Sequence, residues 1–274
     1  MVHDSYPHCD ISLARRLERC EAKTNAAFVE ARARLAPAAG AAWLEHAGAY
    51  AMFDGPDSPL TQTFGFGVFH EANGDDLARL EAFLVERGAE PFHEVSPLAG
   101  NDALAVLGAR GYRPVELTSV MFRPLPASFP EAATRVGARI AASGEEELWG
   151  NVAAEGWSEQ PELIAFIRDL GRVSANSEGT APFFAELDGQ LIATGAVATH
   201  DGVALLAGAS TIPSARNQGA QRALLEARLR HATAAGCDLA MMCAAPGSTS
   251  QRNAERQGFR IAYTRIKWGR PAIS

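Results

Sequence analysis

The spacing of apolar residues switches along the chain between a period near 3.6 and a period near two, the marks of helix and strand. In the C-terminal half, TRVGARIAA (134–142) predicts a strand. EEELWGNVAAEGW and PELIAFIRDLGRV predict two short helices, with Pro161 in the first turn of the second, where its missing N–H does no harm. The long apolar segment PFFAELDGQLIATGAVATHDGVALLAGASTI is cut at Asp188-Gly189 and at Asp201-Gly202. Asp-Gly between apolar runs signals a tight hairpin, so three antiparallel strands are expected. A loop, a helix with Leu225, Leu229 and Ala232 on its buried stripe, the strand LAMMCAA, another helix and a closing strand pair complete the order β-α-α-β-β-β-α-β-α-β-β.

The N-terminal half reads similarly. ISLARRLERCEAKTNAAFVEARARL predicts one or two helices, followed by the strands AAWLEHA, AYAMF and TQTFGFGVF. The first strand of the other half has no counterpart here and is expected to be missing. The tails of the halves repeat each other. Gly111-Tyr112-Arg113 matches Gly258-Phe259-Arg260, and Arg123-Pro124 matches Arg270-Pro271 at the same offset. Each tail follows a helical segment that ends in glycine, LARLEAFLVERGAE and LLEARLRHATAAGCD. An offset of that size is domain-sized, which indicates duplication and not a solenoid. RPLPASFPEAATR (123–135), with three prolines, makes a poor helix and a plausible linker. The expected domains are therefore 1–125 and 134–274.

Composition narrows the classes. The chain of 274 residues is 47% apolar and 21% charged, which describes a globular protein with a real core. No apolar run is long enough to span a bilayer, and MVHDSYPHCD lacks the features of an export signal, so a cytoplasmic location without membrane contact is expected. Cys9, Cys20, Cys237 and Cys243 show no metal spacing and are read as free thiols, and no metal is expected. A net charge of −7 argues against general nucleic-acid binding. Between Arg216 and Arg270, however, ten basic residues face three acids. That asymmetry fits either a localised anion partner or a solvated basic face.

The stretch STIPSARNQGAQRALLEARLRHATAAG (210–235 and the glycine after it) is the most informative. A strand stops at a proline, and a helix opens straight out of a loop with one glycine. The first helical N–H groups lack intrahelical partners and form the positive end of the helix. A pyrophosphate placed there can be held by backbone alone, and Gly219 lets the chain come close to it. Arg216 and Arg222 add charge. Rival phosphate motifs are absent: there is no Gly-Lys-Ser/Thr, and Gly65-Phe66-Gly67 lies in a strand and leads nowhere. The matching loop of the first half, His70-Glu71-Ala72-Asn73-Gly74-Asp75-Asp76, carries three carboxylates that repel a phosphate. Asp75 and Asp76 read as caps, and this copy reads as structural, with no cofactor.

Arg216-Asn217-Gln218-Gly219-Ala220-Gln221 resembles motif A of the GNAT N-acetyltransferase superfamily: Gln or Arg, two residues, Gly, one residue, then Gly or Ala. Gln221 departs from the last position. The resemblance covers roughly 134–270 and implies an α/β fold of two GNAT-like domains built on mixed sheets, the N-terminal copy degenerate. It implies acetyl-CoA as co-substrate, direct attack by a primary amine in a ternary complex, and a small-molecule or peptide amine as acceptor. It places the carbonyl-oxygen donor in the backbone of Ser210, Thr211 and Ile212, and the coenzyme on Arg216, Asn217, Gln218, Gly219, Ala220, Gln221 and Arg222. Ser250 and Asn253, near the start of the next helix, bind the nucleotide or pantetheine arm, or else serve as caps. The family's tyrosine acid falls on Ala254 and its frequent asparagine on Gly247, two departures.

Two substitutes are open. Tyr263 is either a replacement acid or a packed ring with a surface hydroxyl. Glu155 is either a base for the amine or a solvated acid at a helix end. Trp157 and Phe166 either wall the acceptor site or fill the core, and Arg256 either meets a phosphate or is simply exposed. A non-catalytic acyl-CoA sensor or scaffold is the alternative function, motivated by Ala254 and Gly247. The oligomeric state stays open, a homodimer among the options.

Overall fold

The computed structural model describes residues 6–129 and 135–270. The middle of the expected linker (130–134) and Pro271 lie outside the described residues. The chain forms two compact units, Met1–Pro124 with Met241–Ser274, and Leu125–Ala240.

The first unit opens on α1 (Ile11–Leu35), one helix of 25 residues capped by the Asp10 side chain. No strand precedes it among the described residues. Strands β1 (Ala42–His46), β2 (Ala49–Phe53) and β3 (Gln62–Phe64) follow, then α2 (Gly74–Val85), β4 (His93–Val95), α3 (Gly100–Ala109) and β5 (Arg113–Pro124). The expected strand TQTFGFGVF keeps only three residues. Gly65 and Gly67 both take positive φ, which turns the chain out of the sheet, so Gly65-Phe66-Gly67 is a turn and not strand. Strand β2 is buried on both faces. Tyr50 and Met52 pack on Ala22, Ala26 and Val29 of α1. Ala49, Ala51 and Phe53 face the other way, toward Leu77, Leu80 and Leu84 of α2. The period of two thus feeds two helix layers from one strand.

The second unit runs β6 (Gly137–Ile140), α4 (Glu146–Glu155), α5 (Pro161–Ala175), β7 (Thr180–Leu187), β8 (Gln190–His200), β9 (Val203–Thr211) and α6 (Ala220–Ala234). Its strands pair antiparallel in the order β6-β7-β8-β9. Both Asp-Gly pairs turn as expected, with all four residues at positive φ. Trp149, Val152 and Ala153 of α4 pack on Phe184 and Ala196. The buried stripe of α6 runs through Ala220, Leu224, Arg228 and Ala232, together with Leu229. Leu225 is only half-buried, one residue off the expected stripe.

Strand β10 (Leu239–Ala244) spans the break between the units, and α7 (Thr249–Arg256) and β11 (Arg260–Gly269) belong to the first. Within that unit the order is β1-β2-β3-β4-β11-β5, with only β3 and β4 parallel. By its contacts, the end of the expected second domain, 134–274, groups with the first unit. Strand β11 bonds to β4 through Ile266 opposite Val95 and to β5 from Arg260 opposite Phe122 to Gly269 opposite Arg113. The expected closing strand pair of the second half is this single strand. The repeated tails are nonetheless alike in geometry. The Tyr112 N–H donates to the Leu107 carbonyl at 3.1 Å, and the Phe259 N–H to the Ala254 carbonyl at 3.0 Å, each beside a glycine with φ near 80°.

Strand β11 also closes a buried polar cluster in this unit. Arg265 donates to Glu94 at 2.9 Å, to both oxygens of Glu21 at 2.9 and 3.0 Å, and to Glu18 at 3.4 Å. The Tyr263 hydroxyl donates to Glu18 at 2.8 Å, and the Cys243 thiol to Glu21 at 3.3 Å. Three carboxylates thus face one guanidinium. Burial raises the Glu18 and Glu94 carboxyls above the usual carboxylate range, against the opposing pull of Arg265. A carboxyl with a raised folded-state pKa favours the fold below about pH 4.5 and loses that contribution as pH rises through the folded value. Glu18→Gln, which keeps the shape and titrates nothing, is therefore expected to gain stability relative to the unmodified chain as pH rises from about 4.5. Urea unfolding of both proteins across that range measures the difference; a gap that stays flat contradicts it.

Candidate functional site

Strand β9 carries the central irregularity. Ala207 stands opposite Ala196 and Ser210 opposite Thr194, so Gly208 and Ala209 together face the single residue Gly195. This is a β-bulge, and Gly208 makes it with φ +62°. Ala207, Gly208 and Ala209 are exposed in mid-strand while the residues before them are buried. The Ala207 carbonyl accepts from the Arg228 guanidinium of α6 at 3.3 Å, and the Gly208 carbonyl from the Thr194 hydroxyl at 3.3 Å. Two successive carbonyls are therefore each engaged by a side-chain donor. A trans peptide holds its N–H opposite its C=O, so the N–H groups of Gly208 and Ala209 point away from these two donors. A pair of neighbouring N–H groups on one side suits an anionic oxygen.

The strand then turns through Pro213–Ala215 into the loop and α6. Asn217 (φ +63°) and Gly219 (φ +90°) both sit in the left-handed region. Gly219 is the N-cap of α6 and offers no side-chain cap, so the amides of Ala220, Gln221 and Arg222 lack an acceptor from the helix or its cap. A Cβ on Gly219 would meet nothing within 4 Å, so the loop is open in front of it. Beside the loop lies a cleft of about 370 Å³ lined by Ile192, Ile212, Ser214 and Gln218 among others.

The C-terminal end of α4 is fastened to this region. The Ser210 hydroxyl donates to the Ala153 carbonyl at 2.8 Å. Arg216 donates to the Gly156 carbonyl at 3.2 Å and to Glu159 at 2.6 Å. Gly156 lies so close that a Cβ there would come within 1.9 Å of the Ser210 hydroxyl oxygen. Glu155 is exposed at this helix end. It is the expected base, and the structure brings it into the same group of elements as β9 and the loop.

Other expected residues have different places. The Ile212 N–H is taken by the Ile192 carbonyl at 3.0 Å, and Ser210 and Thr211 pair with Thr194 and Ala193. The bulge at Gly208 and Ala209 lies just before the expected Ser210 to Ile212. Arg216 is held by Glu159 and Gly156, so its charge is already shared. The Gln221 amide donates to the Thr211 hydroxyl at 2.7 Å and to the Ser210 carbonyl at 3.3 Å, tying the helix start to the strand end. Gln218 donates to the Ser214 carbonyl, and Arg222 pairs with Glu226 one turn along. Ser250 and Asn253 stand exposed on α7 in the first unit, where the cap is Ser248. Arg256, on the same helix, is exposed. Tyr263 is in that unit too. Its hydroxyl is buried on Glu18 and not at the surface, and burial holds its pKa well above that of a free tyrosine. Phe166 is exposed and Trp157 half-buried, so neither is core; Trp149 fills that place.

The first unit's loop answers as a contrast. Asn73 caps α2 by accepting from the amides of Asp75 and Asp76 at 3.1 and 2.9 Å. Asp76 also pairs with His46 at 2.8 Å. The cap is thus Asn73, with Asp75 and Asp76 in the first turn and not the caps themselves. The amides that a phosphate needs are already used.

Two groups escaped the sequence reading. A glycine inside an apolar strand signals a bulge, and Gly208 carried that signal. Arg228 breaks the apolar stripe of α6 at the i+4 position between Leu224 and Ala232.

Residues 145–259 match the family model described as Acetyltransferase (GNAT) family. Among curated proteins none matches the sequence. Solved structures share the fold at low identity. A GCN5-related N-acetyltransferase from Kribbella flavida superposes with TM-score 0.63 at 20% identity, covering 90% of this chain and 96% of that one. A tandem GNAT protein from the clavulanic acid biosynthesis pathway gives 0.57 at 15%, covering 94% and 93%. A GCN5-related N-acetyltransferase from Sphaerobacter thermophilus gives 0.50 at 18%, covering 78% and 73%. The fold is shared with tandem GNAT proteins, and residues 145–259 of the chain are similar to the GNAT acetyltransferase family.

Proposed function

We propose that the second unit binds acetyl-CoA along β9 and the loop after it, and transfers acetyl to a primary amine by direct attack in a ternary complex. The observation that carries this is the pairing of an open, uncapped helix start with a bulged strand that turns two amides outward. The family-model match at 145–259 supports acetyl transfer from acetyl-CoA in general terms.

The amides of Asn217 to Arg222 would hold the pyrophosphate, helped by the positive end of α6. The loop from Ser214 to Arg222 contains no carboxylate to repel it. Gln221 holds this helix start against Thr211 and so fixes the direction of the amides. The thioester supplies the chemistry: the amine nitrogen bonds to the acetyl carbon, the carbon–sulfur bond breaks, and the thiolate leaves while the amine loses a proton. The Gly208 and Ala209 amides would meet the carbonyl oxygen as its charge grows, the step where fixed donors matter most. Glu155 would accept the amine proton, directly or through water. An alkyl amine with a pKa of about 10.4 needs such a base near neutral pH. The net charge of −7 favours cationic acceptors, whether small molecules or peptides.

One observation favours a second reading, an acyl-CoA sensor. Ala254 is buried and the Tyr263 hydroxyl is committed to Glu18, so neither supplies an acid for the leaving thiolate. A thiol of pKa about 8.5 leaves without one, and catalysis remains the stronger reading.

Two experiments test this. Gly219→Asp puts a carboxylate at the open helix start and strains a left-handed backbone position. Calorimetry with coenzyme A is expected to show roughly tenfold or greater weakening, of the order of a lost charge-assisted contact; unchanged affinity would remove the loop from the site. Thiol release from acetyl-CoA, followed across a panel of primary amines, is expected to reveal turnover, and Glu155→Gln to lower kcat roughly a hundredfold. Tight binding without turnover on any amine selects the sensor.

A further inference from the structure

We propose that Arg228 is a positioning residue for acetyl transfer, setting from behind the peptide groups whose outward amides meet the substrate oxygen. This rests on the acetyltransferase reading above.

Arg228 is a cation in the wrong place for stability. It is buried on the inner stripe of α6, and no carboxylate among the described residues pairs with it. All its hydrogen bonds go to backbone carbonyls: Leu224 at 3.1 Å, Ala196 at 3.2 Å and Ala207 at 3.3 Å. Burial alone pulls its pKa down to about 10, so it keeps its charge at neutral pH without a counter-ion. An unpaired buried charge is costly, and an apolar residue of similar length would fill the space more cheaply. The fold makes room for it all the same. Gly195, the residue opposite the bulge, has no side chain, and a Cβ there would come within 2.9 Å of the guanidinium carbon.

What the arginine reaches is one end of the peptide between Ala207 and Gly208. A donor on a peptide carbonyl polarises that peptide and strengthens its N–H as a donor at the other end. Here the carbonyl end meets a full positive charge, and the N–H end, on Gly208, is turned away from it at an exposed stretch of strand. The neighbouring peptide is arranged in the same way, with the Thr194 hydroxyl on the Gly208 carbonyl and the Ala209 N–H outward. The positive potential of Arg228 extends through a region that holds no compensating anion, where it is weakly screened. Charge gathering on the acyl oxygen would supply the missing anion for the lifetime of the transition state. Arg228 itself gains and loses no proton and touches no substrate.

The test uses acetyl-CoA labelled with carbon-13 at the carbonyl, bound to the full chain, with isotope-edited infrared spectroscopy. The bound carbonyl band is expected to move to lower frequency in the unmodified protein. Arg228→Gln keeps a donor but loses the charge, and is expected to lose at least half of that movement. Arg228→Lys keeps the charge and is expected to retain most of it. Affinity for acetyl-CoA by calorimetry is expected to change less than threefold in both, and kcat, where an acceptor is in hand, to fall roughly tenfold in Arg228→Gln only, less than the loss of a direct donor. Arg228→Met is expected to melt at or above the temperature of the unmodified protein, because it removes an unpaired charge. Equal band positions in the Gln and Lys variants overturn the proposal. So does a Met variant that melts far lower while keeping the full shift, or collapse of all three variants, since either marks a purely structural arginine. If the unmodified protein does not bind acetyl-CoA, the acetyltransferase reading falls and takes this role with it. Binding with no difference between Gln and Lys leaves that reading intact and removes only Arg228.

Discussion

The packing of Trp149 against Gly208 constrains everything near the site. A side-chain carbon at Gly208 would lie 2.8 Å from the indole, so this position admits glycine only. Glycine in turn permits the left-handed backbone, and that conformation creates the bulge. With the indole seated there and its Nε1 donating to the Phe183 carbonyl at 3.0 Å, α4 is fixed over β8 and β9. Its far end then reaches the end of β9, where Gly156 and Ser210 come together. One close contact thereby sets the backbone of the strand, the position of the helix and the location of Glu155.

The two units differ where their matching helices begin. The two halves of the sequence keep the helix-ending glycines and the same backbone bonds at the Gly-aromatic pair, because those features hold the fold together. The helix starts have diverged. Asn73 closes one with its own side chain, and Gly219 leaves the other open. A cap stabilises a helix by on the order of 1 kcal/mol, so the uncapped start of α6 gives up local stability that an anion bound as proposed would restore. Arg228 follows the same logic at the bulge, where stability is again lower than an apolar residue would give.

What could be read from the sequence was what is decided locally. The Asp-Gly turns needed only four residues of positive φ and were plain, as were Pro161 at the start of α5 and the glycine of the loop. The alternation within β2 was also visible, but alternation tells which face is buried and not which strand lies alongside. The partners of β11 are therefore invisible in its own pattern, since its neighbours β4 and β5 are far away in sequence. The fate of Tyr263 depended on that pairing, because only the position of β11 brings its hydroxyl to Glu18 on α1. The bulge was missed for a different reason. Ala207-Gly208-Ala209 is compatible with ordinary strand, and only the indole that occupies the glycine's missing side chain makes the distortion necessary.

The placement of β11 has a consequence for how the protein is made. Strands β4 and β5 leave the ribosome roughly 170 and 140 residues before the strand that joins them, on the order of ten seconds or more at typical elongation rates. During that interval the nascent first unit carries two unsatisfied strand edges and a set of acidic side chains still waiting for Arg265. Its assembly waits for β11 even if the segment from β6 to α6 condenses first. Loss of β11 would thus damage β4 and β5, early in the sequence, as severely as the segment around it.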